Sequence, residues 1–127
     1  MKFQPDIPEG VNAITRHERG RIVVGGAVIE HAAVVPWSGA VLDWEAPAFA
    51  ALTAAHFERL LALEPEVVIF GSGERLRFPP PALLRALIER GIGVETMDSG
   101  AACRTYNILA SEGRRVVAAL LLVTEGP

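Results

Sequence analysis

Two unbroken apolar runs limit what this chain can fold into: Val67-Val68-Ile69-Phe70 and residues 116–123, Val-Val-Ala-Ala-Leu-Leu-Leu-Val. A strand with one wet face alternates apolar and polar side chains. An unbroken run fits a strand covered on both faces, as in a sheet held between helices. Ile92 to Thr96 reads as a shorter strand between the two. Residues 67–123 therefore spell strand, loop, helix, strand, loop, helix, strand, and helical connections permit right-handed parallel crossovers. Gly113-Arg114 is tight enough to return the last strand antiparallel, so the expected central sheet is mixed and largely parallel.

The helices follow from their stops and stripes. Thr53 is placed to cap a helix through Leu63, with Phe57, Leu60 and Leu61 inward and Glu64-Pro65 ending it. Pro79-Pro80-Pro81 opens a second helix, where a missing N–H has no helical partner to lose. Its apolar stripe is Leu83, Leu84, Leu87 and Ile88, and Gly91 stops it. Asp98 or Ser99 caps a third helix that ends at Glu112-Gly113. Before them, residues 7–45 read as an antiparallel β ribbon. Val11 to His17, Ile22 to Val24 and Ala27 to Ile29 are strands, Gly20 permits a turn, and Gly25-Gly26 marks a bulge or sharp bend. Val34 to Trp37 and Val41 to Trp44 continue the pattern. The expectation is one α/β domain over residues 1–127: a ribbon at 7–45 and a three-layer α/β core at 46–123.

Composition narrows the function. Half of the 127 residues are apolar and 21% are charged, as in ordinary globular proteins. A net charge of -3, with acids interspersed among the arginines, argues against nucleic acid as a partner. One cysteine, Cys103, excludes an internal disulfide and a cysteine-based zinc site and suits a reducing compartment. Residues 1–6 have neither the apolar segment of a signal peptide nor the Arg/Ser-rich amphipathicity of a transit peptide. The run at 116–123 is too short to cross a bilayer. A cytoplasmic protein without a membrane span is expected.

Both strand-to-helix loops are polar, and in a parallel sheet they lie together at the carboxyl ends of adjacent strands, where open α/β sheets bind ligands. The first is Gly71-Ser72-Gly73-Glu74-Arg75. The second is Met97-Asp98-Ser99-Gly100, running into Ala102-Cys103-Arg104-Thr105-Tyr106-Asn107. Gly71-Ser72-Gly73 followed by Asp98 is half of a dinucleotide fingerprint, but Leu76 stands where the third glycine belongs and the helix begins only near Pro80. A tight turn with Asp98 as a helix cap explains the same residues. Cys103 has no histidine near it in sequence and reads as a small core residue rather than a nucleophile. His17, His31 and His56 have no metal-ligand spacing, and no carboxylate is marked as catalytic. No catalytic residue, metal or cofactor is assigned. The candidate ligand crevice is Gly71, Ser72, Gly73, Asp98, Ser99, Arg104 and Asn107. Within it, Arg104 and Asn107 would line a pocket for an anion or peptide carboxylate with Ser72 and Ser99, or else hydrogen-bond the neighbouring loops.

Longer blocks carry a resemblance. Phe70-Gly71-Ser72-Gly73, Phe78-Pro79-Pro80, residues 91–99 (Gly-Ile-Gly-Val-Glu-Thr-Met-Asp-Ser) and residues 102–116 (Ala-Cys-Arg-Thr-Tyr-Asn through Arg-Arg-Val) look like a small domain family of unknown function. That family includes the mitochondrial complex I (NADH:ubiquinone oxidoreductase) assembly factor three and the adipogenesis-associated domain protein. The likeness runs from about Ile7 to Val123. The family often has Gly-Thr-Gly and Met-Asp-Thr where this chain has Gly71-Ser72-Gly73 and Met97-Asp98-Ser99, which keeps the hydroxyl. The resemblance implies a three-layer α/β fold with a central mixed sheet, no established catalytic activity, and a mitochondrial member that binds other proteins during assembly. With no mitochondrial leader read at its start, this chain resembles a free-standing bacterial-type relative.

Two functions are in play. One is a non-enzymatic, protein-binding or assembly module with an unknown protein partner. Its binding surface would be the ribbon, with Trp37 and Trp44 exposed, or both tryptophans would pack over the core. The other is a small-molecule or anion-binding protein, or a cryptic enzyme, using the crevice between the 71–75 and 97–104 loops. Exposed ribbon edges could also pair across a homodimer.

Overall fold

The computed structural model describes residues 7–122, so the N-terminal hexapeptide and Val123 lie outside the described residues. A five-stranded sheet forms the middle layer, in the order β5-β4-β8-β6-β7. Its strands are β4 (Ala33–Pro36), β5 (Leu42–Asp43), β6 (Val67–Gly71), β7 (Gly93–Met97) and β8 (Val116–Leu120). β6 runs parallel to both β7 and β8, with Val67 opposite Gly93 and Val116. β4 is antiparallel to β8 and β5. The central sheet is thus mixed, and both apolar runs lie at its centre.

Strand alternation explains why those runs had to be apolar throughout. Val67, Ile69, Val116, Ala118 and Leu120 face one core, shared with Ala102, Cys103 and Tyr106 of α3 (Ser99–Ser111) and with Ile14 and Ile22. Val68, Phe70, Val117, Ala119 and Leu121 face the other, against Phe57, Leu60, Leu87 and Trp44. Neither face meets water, so no position is left for a polar residue.

On the α3 face lies a separate three-stranded antiparallel sheet: β1 (Ile14–Glu18), β2 (Arg21–Val24) and β3 (Ala27–Ile29). The ribbon expected over 7–45 therefore divides. Its first part is this small sheet. Residues 33–43 instead form the antiparallel edge of the central sheet, because Ala33–Pro36 is buried along its whole length and pairs with β8. Gly25-Gly26 is not a bulge or bend within one strand but a two-residue hairpin turn. Both glycines have positive φ (56° and 83°), the geometry that reverses a twisted ribbon tightly.

The other face carries two short helices. α1 (Ala54–Glu58) tightens into a 3-10 turn at Arg59–Leu63 and stops at Glu64, whose φ is 51°. The second helix begins as a 3-10 turn at Pro81–Leu84 before becoming α2 (Arg85–Glu89). Its expected apolar stripe is only partly inward: Leu87 is buried, Leu83 and Leu84 are half-buried, and Ile88 is 57% exposed. The tighter 3-10 pitch rotates the later residues away from a 3.6-residue stripe.

Trp44 is fully buried, in edge-to-face contact with Phe57 and Phe70 at 5.5 and 5.9 Å between ring centroids. Its indole N–H donates to the His56 carbonyl at 3.0 Å. Trp37 is half-buried and packs against both cores. The tryptophans are core residues rather than an exposed binding surface, because edge-to-face aromatic packing buries far more apolar area than a ribbon surface would.

Candidate functional site

The carboxyl ends of β6 and β7 bring the two polar loops together, and their hydroxyls are used at once by the backbone. Ser72, fully buried, donates its Oγ–H to the Arg75 carbonyl at 2.6 Å and accepts the Arg77 N–H at 3.0 Å. Ser99 Oγ donates to the Leu121 carbonyl at 2.7 Å and accepts the Gly73 N–H at 2.9 Å. The Ser72 N–H donates to the Met97 carbonyl at 2.9 Å, and the Ser99 N–H to the Gly73 carbonyl at 2.8 Å. The amides of Ser72, Gly73 and Ser99 are therefore already committed to protein acceptors.

Gly71 sits where the chain is most crowded. A Cβ there would lie 2.8 Å from both Leu120 Cδ2 and Ser99 Oγ and 3.1 Å from Ser99 Cα. The glycine exists for close packing of β6 on the start of α3. Asp98 is the cap of α3: its Oδ1 accepts the Ala101 N–H at 2.9 Å.

Farther along α3 the polar run holds the ribbon. Asn107 is buried, and its side-chain amide makes a two-point pair with the backbone of Ile14, accepting its N–H at 2.9 Å and donating to its carbonyl at 2.8 Å. The Tyr106 hydroxyl lies 2.8 Å from the Asn12 carbonyl and 3.0 Å from that of Pro36. Burial pushes that phenol's pKa well up. Burial likewise drives the Cys103 thiol up to about 12, against the opposing pull of Arg104. It is thus protonated at neutral pH and a poor nucleophile.

Two open cavities flank this framework, on either side of His17. The first, about 300 Å³, is lined by His17, Arg19, Glu74, Asp98, Ser99 and Gly100, among others. An Arg19–Glu74 ion pair of 3.2 Å spans it from the ribbon turn to the loop after β6. The second, about 310 Å³, lies between β1 and α3 and includes Arg16, His17, Cys103, Arg104 and Asn107. The expected crevice residues are thereby sorted. Gly73, Asp98 and Ser99 share the first cavity, and Arg104 and Asn107 share the second. Gly71 and Ser72 line neither cavity.

His17 is the residue that the sequence did not mark. It stands more than eighty residues from Asp98 in the chain, and only the packing of the ribbon on α3 brings it there. Gly100 makes room for it, since a Cβ would sit 3.2 Å from His17 Cε1. Its pKa is lowered, first by burial and next by Arg104, with Asp98 pulling the other way. Among the described residues no cluster of His, Cys, Asp and Glu could hold a metal ion, and no helix is long and apolar enough to cross a membrane.

The profile of a family described as "Protein of unknown function (DUF498/DUF598)" matches residues 14–121. The chain is 39% identical over 121 residues to the bovine (Bos taurus) protein called NADH dehydrogenase [ubiquinone] 1 alpha subcomplex assembly factor 3. That match covers 94% of this chain and 65% of the bovine one, so the chain spans just under two thirds of its relative's length. A crystal structure of a Bordetella parapertussis protein superposes with a TM-score of 0.85 at 40% identity, covering 91% of this chain and 100% of that one. The solution structure of a Bordetella pertussis protein, described as an Mth938-like domain, gives a TM-score of 0.83 at 33% identity, covering 99% and 95%.

Proposed function

Because the chain belongs to the DUF498/DUF598 family of proteins of unknown function, we propose that it is a non-enzymatic protein-binding domain of assembly-factor type, acting in the cytoplasm of a bacterial-type cell. The observation that carries this is the 39% identity to the bovine assembly factor across 94% of the chain. The chemistry of the loops agrees with it. Their serines, their amides and the Asp98 cap stabilise the fold, and the one thiol is buried and protonated. What the structure offers a partner lies beyond the crevice. Leu76 and Phe78, on the segment after β6, are 54% and 70% exposed. Exposed aromatics of this kind anchor protein interfaces.

Deleting the gene tests the reading. The expected result is loss of an assembled complex on native gels, with respiratory NADH dehydrogenase as the first to examine, and rescue by the Cys103→Ser chain. Normal complexes throughout would sink it. A second reading, a small-molecule site at the loop crevice, is favoured by the cavity of about 300 Å³ beside Asp98 and Ser99. A metabolite that raises the melting temperature of the chain, but not of Glu74→Gln, would select this reading over the first.

A further inference from the structure

We propose that the second cavity, between β1 and α3, binds a small oxyanion, a carboxylate or phosphate group, held by Arg104 and Arg16 with His17 beside them. This goes beyond the assembly reading and stands without it. The cavity measures about 310 Å³ and is lined by Ile14, Thr15, Arg16, His17, Gly100, Cys103, Arg104 and Asn107, with no carboxylate among them. That volume lies at the small end of ligand pockets, about 300–1,000 Å³.

Three features favour an anion there. Among the described residues the Arg104 guanidinium makes no hydrogen bond or ion pair, so its planar fork is open to an oxyanion. Arg16 shares a single carboxylate, Glu18, with Arg21, at 3.3 and 3.0 Å, which leaves one positive charge in that group of three. Beside the arginines lie Ile14, the protonated Cys103 thiol and an Asn107 amide already committed to Ile14, none of which brings a negative charge. Two carboxylates stand near it without lining it: Glu18, shared between Arg16 and Arg21, and Asp98, which caps α3 and lines the first cavity instead. Burial first and Arg104 second lower the histidine's pKa, and an anion between Arg104 and His17 would offset the second of these.

The test titrates the full chain with sodium phosphate and, separately, sodium acetate, at an ionic strength fixed with sodium chloride. Ring resonances of His17 and the Arg104 Nε–Hε signal are followed by NMR. A saturable shift is expected, with the His17 pKa moved upward at saturation and binding at least tenfold weaker in Arg104→Gln. Arg85→Gln on α2, far from the cavity, should bind as the parent does. Saturation by phosphate alone identifies a phosphoryl ligand, and saturation by acetate a carboxylate. Arg104 is exposed, so its variant is expected to fold, and its own spectrum checks this. Arg16→Gln is the second variant and should also bind more weakly. Shifts that never saturate, or an Arg104→Gln affinity equal to the parent's, would overturn the proposal.

Discussion

Asn107 joins two layers through one side chain. Its amide satisfies both backbone groups of Ile14, a buried residue 93 positions away. Replacing it with alanine leaves a buried N–H and a buried carbonyl without partners, each costing about 1–3 kcal/mol. Asn107→Ala should lower the unfolding free energy by about 2–4 kcal/mol in urea titrations and speed amide exchange at Ile14. Gly71→Ala should be similarly destabilising, by about 1–3 kcal/mol, because its Cβ meets the Ser99 backbone as well as side chains. Cys103 should resist a thiol reagent at pH 8 in the folded chain and react once denaturant is added, since burial holds its thiol near 12. The sequence carried part of this. The Asp98 cap and the core role of Cys103 follow from local rules. The partners of Asn107 and Tyr106 do not, because no local pattern tells a helix which distant backbone it will meet.

At the scale of elements, the ribbon and α3 together make the surroundings of His17. Its folded pKa lies below the ordinary value of about 6.5, so the unfolded chain takes up protons more readily. The stability that this provides is complete above about 6.5 and is lost as pH falls from there through the lowered folded pKa. Arg104→Gln should raise the His17 pKa, and Asp98→Asn should lower it further, as read from ring shifts across a pH series. The strands of the central sheet were legible because full burial forces unbroken apolar runs at 67–70 and 116–120. The four-residue β4 was legible as a strand but not as a member of this sheet. Val34-Val35 fits a ribbon strand equally well, and only pairing with β8 decides between them. The short helices on the opposite face blurred for another reason: their 3-10 turns break the 3.6-residue period on which the stripe at 83–88 was read.

Over the whole molecule, the polar loops that first suggest an active site spend their hydroxyls on the framework, while their outer side borders the first cavity. The two cavities meet at His17 and Gly100, where the ribbon packs on the start of α3. The exposed Leu76 and Phe78 lie on the segment that follows β6. This arrangement suits a domain that works through contact with other molecules and keeps its reactive groups in the framework. Quantitative affinity capture, with the tagged chain at its natural expression level, tests that claim most directly. A partner recovered at near-equal molar amount, and lost from a folded Phe78→Ser chain, is the expected result. Recovery of the tagged chain alone, or only with further copies of itself, would contradict it.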